Sequence, residues 1–132
     1  MLDHTGIVVS GLARARRFYD AVAKALGLGI VQTHKDFFLL GMGEGQIPYL
    51  WIGTLKPSYW VEGSRPGINQ MHVAFVAKDE ATVEVFHSAA LAAGGRDFGK
   101  PGPRQENYYG AFVLDPDGNN IEAVARSAPA SA

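Results

Sequence analysis

The sequence predicts an α+β protein made of two βαβββ modules, and three observations carry that reading. Strand-like and helix-like segments run in the order strand, helix, strand, strand, strand, and the order occurs twice in 132 residues. A shift of 68 positions lays His4 on His72, Phe18 on Phe86 and Gly27 on Gly95, the mark of an internal duplication. A stretch rich in proline and glycine separates the two halves.

The first half opens with Leu2 to Val9, short, apolar and β-branched, followed by Ser10 as the expected helix N-cap. Ala15, Phe18, Tyr19, Val22 and Leu26 recur at steps of three and four, with Arg14, Arg16, Arg17, Asp20 and Lys24 mostly on the other face. This spells an amphipathic helix from Leu12 to Leu26, closed by Gly27. Strands are expected at 28–33, 36–42 and 46–53, with Gly43-Glu44-Gly45 as a turn. Module one therefore spans about 1–54, and a loop at about 55–67 carries Tyr59 and Trp60.

Module two covers about 68–126. It begins with a strand at 68–77, and Asp79 then caps a helix reaching about Ala93, which Gly94-Gly95 ends. Strands follow at 96–98, 108–115 and 119–126, the last two joined by the turn Asp115-Pro116-Asp117-Gly118. Residues 127–132 have nothing to bury and are expected to form a flexible tail. The whole makes one domain, which a chain of this length can support.

Composition narrows the function. Hydrophobic residues at 47% and charged residues at 19% are a globular balance. Twelve basic and 13 acidic residues are scattered along the chain with no basic patch, so neither nucleic acid nor a membrane is an expected partner. An acid at position 3 and the lack of a long apolar run argue against export, so a cytoplasmic location is expected. Cysteine is absent, which removes thiolate chemistry and leaves nitrogen and oxygen as the only strong metal ligands.

Histidine and carboxylate on the strands then become the candidates. Alternation groups Gln70, His72, Ala74 and Val76 on one face of their strand, and Asn120, Glu122 and Val124 on one face of the last. Glu122 is a carboxylate in a mostly apolar strand, so it needs a cation, a donor or water. His4, His72 and Glu122 together offer two imidazoles and a carboxylate, a facial set that leaves coordination positions open. His87, on the second helix, is expected at the surface.

The segments carrying these residues resemble those of the vicinal oxygen chelate superfamily, which includes glyoxalase I, bleomycin-resistance proteins, fosfomycin-resistance proteins and extradiol dioxygenases. The carrying stretches are 2–9 with His4, Phe18-Tyr19, 71–75 with His72, and 115–122, where an acidic-Pro-Asp-Gly turn precedes Glu122. The resemblance covers nearly the whole chain and implies a glyoxalase-like fold in which each module's strands form a cupped mixed sheet and paired modules enclose a metal cavity. It implies His4, His72 and Glu122 as ligands of one divalent ion, with Fe, Mn, Zn, Ni and Mg all open.

Glyoxalase I has a further glutamate on the last strand of its first module, where this chain has Tyr49 or Trp51. Neutral tyrosine rarely ligates and tryptophan cannot, which disfavours true glyoxalase I activity. The expected function is a divalent-metal-dependent enzyme, of lyase, isomerase or dioxygenase type, acting on a small oxygen-chelating substrate. The alternative is a sequestering protein of the bleomycin-resistance type. Tyr109 is the candidate catalytic acid. Tyr49, Trp51, Arg104 and Phe112 are the candidate substrate contacts, with Arg104 placed in a Gly/Pro-rich loop and suited to an anionic group. A two-fold homodimer is expected, because small curved sheets leave open edges and cups.

Overall fold

The structure, a computed structural model, describes residues 1–43 and 46–127. The expected turn at 43–45 and the tail at 127–132 therefore lie mostly outside the described residues. In the first half, β1 (His4–Val8), α1 (Leu12–Ala25), β2 (Gly29–Thr33), β3 (Phe37–Gly41) and β4 (Tyr49–Gly53) follow one another. The second half contains β5 (His72–Val76), α2 (Glu80–Ala92), β6 (Arg96–Gln105), β7 (Tyr108–Leu114) and β8 (Asn120–Ala125).

Each half makes a four-stranded mixed sheet, ordered β1-β4-β3-β2 and β5-β8-β7-β6. The β1/β4 and β5/β8 pairs are parallel and the rest antiparallel. No strand of one sheet pairs with the other among the described residues. The helices join them: α1 packs on α2, and each sheet turns one face inward. Ile7, Phe38, Leu40, Leu50 and Ile52 meet Phe18, Tyr19 and Val22, while Phe75, Val113 and Ile121 meet Val83 and Phe86, all in one continuous core. Alternation leaves the opposite face of each sheet as an open cup.

Two expectations are corrected here, and the expected Gly94-Gly95 end of α2 is divided between its two residues. Gly11, not Ser10, occupies the N-cap of α1; the Ser10 hydroxyl instead donates to Asp117 at 2.5 Å, tying the first module to the last turn. The positive φ that closes α2 belongs to Gly94, at 100°. Gly95, the repeat partner of Gly27, is glycine because a Cβ there would stand 2.8 Å from both the Ala90 carbonyl and the Phe18 ring. Finally, β6 runs ten residues through Pro101 and Pro103, a stretch that reads as loop; as the outer strand of its sheet it needs only one paired edge, so proline is tolerated.

Candidate metal and ligand site

Register decides which residues correspond between the cups. His4 pairs with Tyr49 and Gly6 with Trp51, whereas His72 pairs with Asn120 and Ala74 with Glu122. Tyr49 thus stands where Asn120 stands, and Trp51 takes the place of Glu122. The open choice in the first module is resolved: tryptophan replaces the carboxylate, and its indole lies over Gly53, whose Cβ would come within 2.6 Å of it.

In the second cup, Glu122 is 2% exposed. Such a carboxylate costs several kcal/mol to bury unless it finds donors or a cation. Tyr108 donates its hydroxyl to Oε2, and Nε2 of His72 stands 3.4 Å from Oε1. No arginine or lysine reaches it among the described residues. The other imidazole nitrogen of His72, Nδ1, lies 2.9 Å from Asn120 Oδ1. An amide oxygen only accepts, so Nδ1 donates to it, and this bond turns Nε2 toward Glu122.

His4 is arranged in the same way in its own cup. Nδ1 is 2.6 Å from Asp3 Oδ1, which orients the ring, and the ring stacks on Tyr49 with centroids 4.9 Å apart. His4, Tyr49, Trp51 and Tyr59 line a cavity of about 490 Å³ together with Lys56. His72 lines a separate one of about 320 Å³ with Met71, Phe98, Leu114 and Asn120. The two cavities share no residue. Among the described residues, no three histidine or acidic side chains of one chain come together as a metal site. His72 and Glu122 converge; His4 does not join them within the chain.

Tyr109 is not brought to Glu122. Alternation along β7 sends Tyr109, Ala111 and Val113 toward α2, where the Tyr109 hydroxyl donates to Glu84 at 3.0 Å. The phenol at the site is Tyr108, whose pKa is raised by its hydrogen bond to Glu122, against the opposing pull of Arg126 and Arg104. The signal for Tyr108 was present in the sequence: Ala111 and Val113 are the core residues of that strand, so Tyr108, Gly110 and Phe112 must share the other face.

Phe112 pairs with Glu122 on that face, and its ring centroid is 6.4 Å from that of His72. Arg104 lies on β6 rather than in a loop, its guanidinium 5.5 Å from the centre of Phe112. His87 is buried, not exposed; it is held at 2.9 Å by Asp97, whose pKa its hydrogen bond lowers.

With the geometry in place, comparison identifies the class. Residues 1–123 match the Glyoxalase/Bleomycin resistance protein/Dioxygenase superfamily, and the chain belongs to that superfamily. A glyoxalase/bleomycin resistance protein from Albidiferax ferrireducens T118 is 30% identical, covering 96% of this chain and 99% of its own, with a TM-score of 0.74. A glyoxalase-related enzyme from Fulvimarina pelagi is 20% identical over 94% of this chain and 86% of its own, TM-score 0.73. A lactoylglutathione lyase from Agrobacterium tumefaciens is 19% identical over 94% and 92%, TM-score 0.67, a likeness of fold. No match was found among curated proteins. No described helix is long and apolar enough to cross a membrane.

Proposed function

We propose that this chain is a metal-dependent enzyme acting on a small oxygen-chelating substrate, with His72 and Glu122 as two ligands and His4 of a second copy as the third. The observation that carries the reading is the His72 and Glu122 pair: an imidazole oriented by Asn120, facing a buried carboxylate that no arginine or lysine reaches among the described residues. Second-layer orientation of this kind accompanies metal-ligating histidines. A bound divalent ion would supply Lewis-acid stabilisation of charge developing on substrate oxygens.

The chain's own residues do the rest. Tyr108 holds Glu122 in place and keeps a proton at its hydroxyl within reach of the cup. Phe112 gives the second cup an apolar floor, and Tyr49 and Trp51 line the first cup, which is able to take an apolar or aromatic body. The homodimer follows from the division of ligands. β1 and β5 are edge strands, and Val76 on the open face of β5 is 84% exposed, so pairing of cups between copies covers what one chain leaves bare.

The reading is tested by elemental analysis of protein purified without chelator or histidine tag. About one ion per chain is expected, and activity assays then use the metal found. The rival reading, a ligand-sequestering protein, is favoured by Trp51 standing where a further ligand belongs. Tight ligand binding by protein that holds no metal decides for it.

A further inference from the structure

We propose that the open face of the second sheet, from Glu122 across Phe112 to Arg104, binds a carboxylate-bearing ligand about one aromatic ring long, with Arg104 selecting its charge. The site rests on the reading of His72 and Glu122 given above for its other end only.

Three side chains lie in a row across the sheet. The His72 ring is 6.4 Å from that of Phe112, and the Arg104 guanidinium carbon, reaching in from β6, lies over the Phe112 ring at 5.5 Å from its centre. The row crosses β5, β8, β7 and β6 in turn. Glu122 and Arg104 are thus two strand steps apart, roughly 10 Å at the usual strand spacing. That span matches a ring with oxygens at one end and a carboxylate at the other.

The strand surface is cleared along this line by missing side chains. Gly110, between Tyr108 and Phe112, leaves the space that the Glu122 carboxylate enters, since a Cβ there would lie 3.1 Å from Oε2. On β6, a Cβ at Gly99 or at Gly102 would stand 3.3 Å from a guanidinium nitrogen of Arg104, so both glycines make room for that head group. One nitrogen donates to the Lys100 carbonyl, which fixes the fork, and the cation lies over the Phe112 ring. No carboxylate lies within ion-pair distance of it among the described residues. A guanidinium has five N–H donors, and a planar carboxylate is the partner that fits two of them at once. An oriented, unpaired cation over an aromatic side chain of the open face selects an anionic ring.

Calorimetric titration with 3,4-dihydroxybenzoate and its neutral amide reads the selection directly, on protein as purified and on protein stripped with chelator. Wild type is expected to prefer the acid by about tenfold, the size of one good charge-assisted contact. Arg104→Gln should erase the preference while leaving affinity for the amide and the metal content unchanged, and Arg104→Lys should restore only part of it. Arg96→Gln, at the opposite end of β6, should change nothing. Equal affinity for acid and amide in wild type, a preference that survives Arg104→Gln, or binding of neither probe overturns the proposal. Protein found to bind no metal, yet with an acid preference that depends on Arg104, refutes the metal reading and upholds this one.

Discussion

The Tyr19 hydroxyl donates to the Asp115 carboxylate at 2.6 Å, and this bond ties the helix of the first module to the turn that precedes Glu122. Asp115, 1% exposed, also accepts from the backbone of Asp117 and Asn119 at 2.9 and 2.8 Å and from the Asn119 amide at 2.9 Å. Asn119 in turn accepts from the backbone of Met71, the residue before His72, at 2.9 Å. The network thus reaches both strands that carry the candidate ligands. Tyr19→Phe removes a bond to a buried charged group, worth about 1.5 to 3 kcal/mol. Thermal unfolding should register a fall of several degrees, and an unchanged midpoint would remove the network from the list of stabilising contacts.

Burial first, then the Asp115 charge, holds the Tyr19 pKa well above its ordinary value of 10.0. A group whose proton is held more tightly when folded contributes its full stability below the unfolded value and loses it as pH rises through the folded one. Stability should therefore fall with pH above about 10, where the unfolded phenol ionises first. Denaturant titrations of wild type and Tyr19→Phe across that range check it: the variant should show a shallower decline.

Glu122→Gln keeps the shape of the side chain but removes its charge and places an amide donor toward any cation. Metal per chain after identical dialysis should drop well below that of wild type. Metal-free protein should unfold at the same temperature or higher, because a buried charge has gone. Equal metal occupancy in the two proteins would show that the carboxylate is not a ligand.

Asn120→Leu leaves His72 present but frees its ring angle. Loss of such a partner typically lowers metal affinity by about 10- to 100-fold. Competition with a chelating dye measures it, and Asn120→Asp, which retains an acceptor, should recover most of the loss.

Val76→Asp introduces a charge on the open face of β5, where the native side chain is 84% exposed in the single chain. If a second copy covers that face, sedimentation equilibrium should show weaker self-association with little change in monomer stability, since exposed substitutions usually stay within about 0.5 kcal/mol.

Where the sequence could be read, the reason was periodicity. The apolar repeat of α1 and the alternation in β5 name their buried faces without help, and His72 falls on the exposed face that alternation gives it, whereas β8 is buried on both faces from Ile121 to Ala125. Proline and glycine obscured β6, because local propensity describes a loop while position at the sheet edge permits a strand. Ser10 has the chemistry of a cap, but Asp117 competes for it from 107 residues away. His87 looks like a surface residue until Asp97, on another element, supplies its partner. In each case the deciding contact lies on another element, from ten residues away for His87 to 107 for Ser10.

Because His4 and His72 occupy cups that share no lining within a chain, the proposed division of the site between copies makes it a test of partnership. A chain lacking His4 and a chain lacking His72 would each assemble into dimers with two damaged sites. Mixed, they would form hybrids in which one site unites both defects and the other unites His4 of one parent with His72 and Glu122 of the other. Two inactive proteins combined would then regain activity, up to a quarter of the wild-type level on random exchange: half of the dimers would be hybrids, each with one intact site of two.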